Sequence, residues 1–113
     1  MAKIGVYIPK YMRVGNQDIA KSLNEKLVIE KVVKVAQAMT DVCGGAISQN
    51  VTGFYRFSDG YLAETDTVEI YCLCRDEDID AIADVLKPLV SEIRYELNQN
   101  SIGMYVNEDF IEL

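Results

Sequence analysis

The chain has 113 residues, half of them hydrophobic, enough to bury a core as one domain over residues 1–113 without metal or disulfide staples. Eighteen acidic against eleven basic residues give a formal charge of −7, and phosphate-backbone affinity needs clustered Lys and Arg, so no nucleic acid is expected as partner. No apolar stretch reaches signal-peptide or membrane-spanning length, so no membrane partner is expected and the expected setting is cytoplasmic.

Residues Lys3 to Pro9 alternate, with Ile4, Val6 and Ile8 on one face and Gly5 and Tyr7 on the other, which predicts a first strand. Lys10 to Lys21 has no sustained period and carries the turn signal Gly15-Asn16, so it is expected to be a long loop. Its basic residues Lys10, Arg13 and Lys21 are candidates for holding an anion or a partner, or simply a solvated connection. Ser22-Leu23-Asn24-Glu25 has the capping-box pattern that opens a helix. Val28, Ile29, Val32, Val33, Ala36, Met39 and Cys43 then form its expected apolar arc, opposite Glu30, Lys34, Gln37 and Asp41. Gly44-Gly45 closes the helix, one of the pair supplying a left-handed residue.

Ala46 to Phe57 is long, polar and interrupted by Gly53, the pattern of an edge strand with a bulge. Ser58-Asp59-Gly60 supplies a tight turn into a third strand whose core set is Val68, Ile70, Cys72 and Cys74. Asp76-Glu77-Asp78 loads negative charge onto the start of a second helix, where caps and the macrodipole favour it. Ile79, Ile82, Ala83, Leu86, Val90, Ile93 and Leu97 make that helix's buried stripe, and Pro88 falls on its solvent side, where a bend is expected. Asn98 to Asn100 ends it. Ser101 to Asn107 returns as a fourth strand with Ile102, Met104 and Val106 inward, and the tail Glu108 to Leu113 either frays or adds to an edge. The order is β-α-β-β-α-β, which predicts an α+β ferredoxin-like sandwich, a four-stranded antiparallel sheet with two helices on one face.

The absence of histidine removes Ser-His and Cys-His catalysis and the usual zinc hydrolase sites. Cys43, Cys72 and Cys74 would need a fourth ligand to hold zinc, and Cys72 and Cys74, two apart on one strand face, have Cα atoms about 6.5–7 Å apart, at the limit for a bridge. They are expected to be free thiols in the core, with no metal and no cofactor. Glu64 and Asp66 share one strand face and Glu69 the other, so the three are no obvious catalytic pair, and neither a Walker loop nor a dinucleotide glycine pattern occurs. No catalytic residue is assigned; carboxylate, tyrosine or lysine chemistry stays open, and the balance leans against catalysis.

With both helices on one sheet face, the opposite phase of each strand makes the other face. It places Tyr7, Tyr71 and Tyr105 on neighbouring strands, with Glu69 and Leu73 nearby and Gly5 and Gly103 as gaps. An RNA-stacking platform lacks its basic rim. The favoured expectation is that the chain is a non-enzymatic accessory or regulatory binding module that self-associates over this face as a homo-oligomer, dimer or trimer. The alternative is a small-molecule (nucleotide or metabolite) sensor or enzyme with its site at a subunit interface, where tyrosine hydroxyls and Glu69 supply the polar groups; a foreign protein is the remaining occupant considered.

The run Gly44-Gly45, Gly53-Phe54-Tyr55, Asp59-Gly60 and Glu64, then a strand, a helix and Gln99 before Ile102, resembles small uncharacterised bacterial and phage ferredoxin-like proteins over residues 36 to 106. That resemblance implies fold and no activity. In outline the chain also looks like the PII signalling family, Val68 to Val85 having the cadence of their third strand and second helix. The second resemblance implies a trimer binding nucleotides at subunit clefts through its long hairpin.

Overall fold

The computed structural model describes the backbone of residues 1–14, 17–22, 25–56, 58, 60 and 62–113, and their side chains except at 11–14, 17–22, 55 and 63. The turn signals at Gly15-Asn16 and Asp59, and Leu23-Asn24 of the capping box, lie outside the described residues. Among the described residues the strands and α-helices follow in the order β1 (Ala2–Pro9), β2 (Tyr11–Val14), β3 (Gln17–Ser22), α1 (Glu25–Cys43), β4 (Ile47–Arg56), β5 (Leu62–Cys74), α2 (Ile79–Glu96), β6 (Gly103–Val106) and β7 (Asp109–Glu112).

The fold is α+β, with two helices over an antiparallel sheet. The sheet has five strands rather than four, in the order β4-β5-β1-β6-β7, and β2 and β3 form a separate two-stranded sheet. Two insertions into the expected order cause the difference. The expected loop after β1 is a hairpin, β2 pairing β3 with a register shift at Arg13/Val14. The tail turns at Asn107, in the left-handed region at φ 54°, and adds β7 to the edge.

Period-2 alternation fixes which strand residues enter the core. Ile4 pairs with Cys72, Val6 with Ile70 and Ile8 with Val68 across β1 and β5, and Val6 pairs with Met104 across β1 and β6; all are buried beneath the helices. From α2 come Ile82, Ala83, Leu86, Val90 and Ile93, with Leu97 just beyond, as its periodicity predicts. Pro88 is exposed within one continuous helix. Gly44 closes α1 at φ 87°.

Three expectations are corrected. The buried stripe of α1 is Val28, Lys31, Val35 and Met39, whereas Ile29 and Val33 are exposed, so the arc is rotated from the one drawn through every apolar residue. No bulge occurs at Gly53, because β4 pairs with β5 in unbroken register from Ile47↔Tyr71 to Arg56↔Leu62; β4 is an edge strand all the same. Asp76–Asp78 forms a 3₁₀ turn leading into α2 but makes no side-chain capping hydrogen bond. Its carboxylates pair outward instead, Asp76 with the N-terminal amine and Glu77 and Asp78 with Arg75.

Candidate functional site: the tyrosine face of the sheet

The outer face is built around Gly5 on β1, which lies opposite Tyr71 of β5 on one side and Tyr105 of β6 on the other. Tyr105 lies across this glycine: a Cβ there would stand 2.3 Å from the ring's Cζ. The missing side chain lets the Tyr105 hydroxyl span β1 and donate to Glu69 Oε2 on β5 at 2.5 Å. The other carboxylate oxygen accepts from Gln49 Nε2 on β4 at 2.7 Å. Glu69 is thereby buried at 7% exposure on a face that no helix covers. Tyr7 tilts against Tyr105, with ring centroids 5.6 Å apart at 46°. The Lys3 ammonium stands 4.3 Å from the Tyr71 ring centroid and 5.5 Å from that of Tyr105.

The ionisation of the cluster follows from this geometry. Burial pushes the Glu69 carboxyl up, but hydrogen bonds from Tyr105 and Gln49 and the Lys3 charge act the other way, and the net shift is downward. Burial, then the hydrogen bond to Glu69 and its charge, raises the Tyr105 phenol; burial and the same charge raise Tyr7. At neutral pH the Glu69 carboxylate is therefore ionised beside the protonated phenols of Tyr7 and Tyr105. Among the described residues no ion pair within 4.0 Å involves Glu69 and no group of acidic or thiol ligands is placed to hold a metal ion. The arrangement can accept hydrogen bonds, stack planar groups and attract cations.

Tyr7, Glu69, Tyr71, Leu73 and Tyr105, expected to share a face, are brought together by the sheet register. Glu64 and Asp66 are exposed in the opposite phase of β5. Lys10 donates its backbone amide to Asp66 O at 3.1 Å, while the side chains of Arg13 and Lys21 lie outside the described ones. Sequence reasoning left out Lys3, Gln49, Ile47 and Phe110. Lys3 was legible, two residues before Gly5 in the same alternation; Phe110 was not, since its position opposite Tyr105 needs β7. Ile47, Leu73 and Phe110 are 50%, 53% and 60% exposed on this face.

The cysteines lie under the sheet, away from this site. Cys43, at the end of α1 and packed against the core, and buried Cys72 and Cys74 of β5 are all free thiols. Burial, reinforced by Cys43, pushes the Cys72 thiol up to about 12 and raises Cys74 as well, which keeps both protonated and unreactive.

No family model matches the chain, and no curated protein matches it in sequence. Solved structures do. A phage SAM lyase in complex with S-methyl-5′-thioadenosine superposes with a TM-score of 0.63 at 15% identity, covering 99% of this chain and 88% of that one. The fold resembles that of the lyase. A phage SAM lyase in its apo state superposes with a TM-score of 0.60 at 15% identity, over 99% and 87% of the two chains. CutA1 from Pyrococcus horikoshii OT3, in a mutant form, gives 0.46 at 15% identity over 100% and 83%, too slight a likeness to assign a fold.

Proposed function

We propose that the chain is a non-enzymatic accessory or regulatory binding module, an elaborated ferredoxin-like sandwich acting as one domain, that self-associates through the tyrosine face of its sheet. One observation carries this: Ile47, Leu73 and Phe110 stand exposed around half-buried Tyr7, Tyr71 and Tyr105 on a single face. Such a patch loses apolar exposure when a second copy covers it, and tyrosines keep their hydroxyls hydrated at the rim. The test is light scattering after size exclusion on the wild type and Tyr71→Glu. A wild-type dimer or trimer that becomes monomeric in the variant is expected; a monomeric wild type overturns the proposal.

A second reading, a sensor or enzyme with a small-molecule site at the subunit boundary, is favoured by the charged Glu69 set among tyrosine rings on this face and by the fold likeness to a lyase in complex with S-methyl-5′-thioadenosine. A thermal-shift titration with that nucleoside separates the two. Occupancy at a hundred times the dissociation constant stabilises by about 2.7 kcal/mol, a readily measured rise, whereas the first reading gives a flat response.

A further inference from the structure

The Glu69 cluster is more than a patch of aromatic surface. Its carboxylate is 7% exposed, and both of its oxygens accept hydrogen bonds from neutral donors, Tyr105 and Gln49. Its negative charge is thus hydrogen-bonded but not neutralised by a contacting cation among the described ion pairs. Around it stand the rings of Tyr7, Tyr71 and Tyr105, whose π-faces also attract positive charge. One cation already sits there: Lys3 lends its ammonium to two of the rings from the end of a flexible, half-exposed side chain. A buried carboxylate, aromatic walls and an exchangeable internal ammonium are the components of an aromatic cation cage.

We propose that Tyr7, Tyr71, Tyr105 and Glu69 form a binding site for a small quaternary-ammonium group, for which the Lys3 ammonium is the stand-in. The preference for an alkylated cation over a primary amine follows from the hydrogen bonds. Each Glu69 oxygen already accepts one hydrogen bond and the residue is only 7% exposed, so its remaining lone pairs are poorly reached by a further N–H donor. A tetraalkylated nitrogen needs no hydrogen bond, sheds weakly held water, and keeps the long-range attraction of the carboxylate and the rings. Gly5 contributes by absence, since any side chain there would enter the space the Tyr105 ring occupies. The inference uses the same face as the proposed self-association but does not require it.

The probe is tetramethylammonium chloride, titrated at constant ionic strength by replacing sodium chloride, with backbone amide shifts of Gly5, Tyr71 and Tyr105 as the readout. Tert-butanol serves as an uncharged control of similar size. Wild type, Lys3→Met and Tyr71→Leu are compared, each also in a Leu73→Gln background that opens the face if a second copy covers it. Saturable shifts at these amides are expected, tightening on the order of threefold or more in Lys3→Met, where the competing ammonium is gone, and lost in Tyr71→Leu. A gain in Lys3→Met cannot come from misfolding, so the decisive variant is protected against that artefact. No saturable shift in Lys3→Met in either background, or equal saturation with tert-butanol, overturns the site. The two proposals fail separately: a monomeric wild type that saturates keeps the cage and removes self-association, and an oligomer split by Tyr71→Glu with no saturation does the reverse.

Discussion

Gly5 is the residue on which the outer face turns, because it is flanked by two tyrosines and admits the ring of one across its own backbone. A methyl group at this position must push the Tyr105 ring aside and break the hydroxyl's bond to Glu69. Gly5→Ala is expected to lose about 1–3 kcal/mol, the usual cost of forcing atoms into a filled space. The lost bond also has a pH signature. Glu69 titrates lower in the folded chain than in the unfolded one, whose value is about 4.3. Its contribution is therefore present above that value and disappears as pH falls through the folded-state value. Gly5→Ala removes part of the depression, so the fall in urea midpoint between neutral pH and pH about 3 should be shallower in the variant than in the wild type. An unchanged midpoint and unchanged slope would mean that the Tyr105 ring needs no gap at position 5. At this scale the sequence was informative where alternation alone decides, as for Tyr7, Tyr71 and Tyr105. It was silent on Gln49, whose partnership with Glu69 depends on the register between two strands joined by a long hairpin.

Among the elements, α1 shows why a periodic pattern can point to the wrong arc. Ile29 and Val33 attract a hydrophobic stripe on paper, yet the helix turns them outward and buries Lys31 at 1% exposure among Val28, Val35 and Met39. The lysine stem is apolar and packs as such, and its ammonium is met by Glu96 at the end of α2 and by Glu30 at 3.7 Å. The hydrogen bond to Glu96 raises the Lys31 amine, against the opposing effect of burial, and the same bond lowers the Glu96 carboxyl. An ion pair at a helix–helix contact links α1 to α2, but the desolvation of the buried end offsets much of its attraction. Lys31→Met should keep the thermal midpoint or raise it, while Glu96→Ala, which strips the buried ammonium of its main partner, should lower it. Equal losses in both variants would mean that the pair itself, rather than the cost of an unpaired charge, stabilises the contact. The hairpin of β2 and β3 was missed for a related reason. Its strands are short, and they pair with each other rather than with the main sheet, so they show neither the run nor the alternation that a core-facing strand imposes.

For the whole molecule, long-range order was legible wherever burial enforces it: both helices, the phase of β1, β5 and β6, and the face left open all follow from alternation against one core. The fifth strand was legible only as one of two alternatives for Glu108–Leu113, a run with three acidic residues in six, and its pairing to β6, with the mutual backbone bonds of Ile102 and Leu113 at 2.8 and 3.0 Å, decides for the edge. Charge acts at the same scale. Each copy carries −7, so two copies brought face to face repel, while the contact proposed between them is apolar and aromatic. Salt screens the repulsion over a Debye length of about 14 Å at 0.05 M, shrinking to about 4 Å at 0.5 M, and leaves apolar burial largely intact. Self-association through the tyrosine face should therefore tighten by roughly two- to tenfold between those concentrations, as read by sedimentation equilibrium. Had the copies instead been held by Lys3 or other cations reaching carboxylates across the interface, the same salt would screen attraction and the complex would loosen. Weakening with salt would thus move the contact off Ile47, Leu73 and Phe110 and onto charge pairs, and the effect of Leu73→Gln on the dissociation constant would then be small.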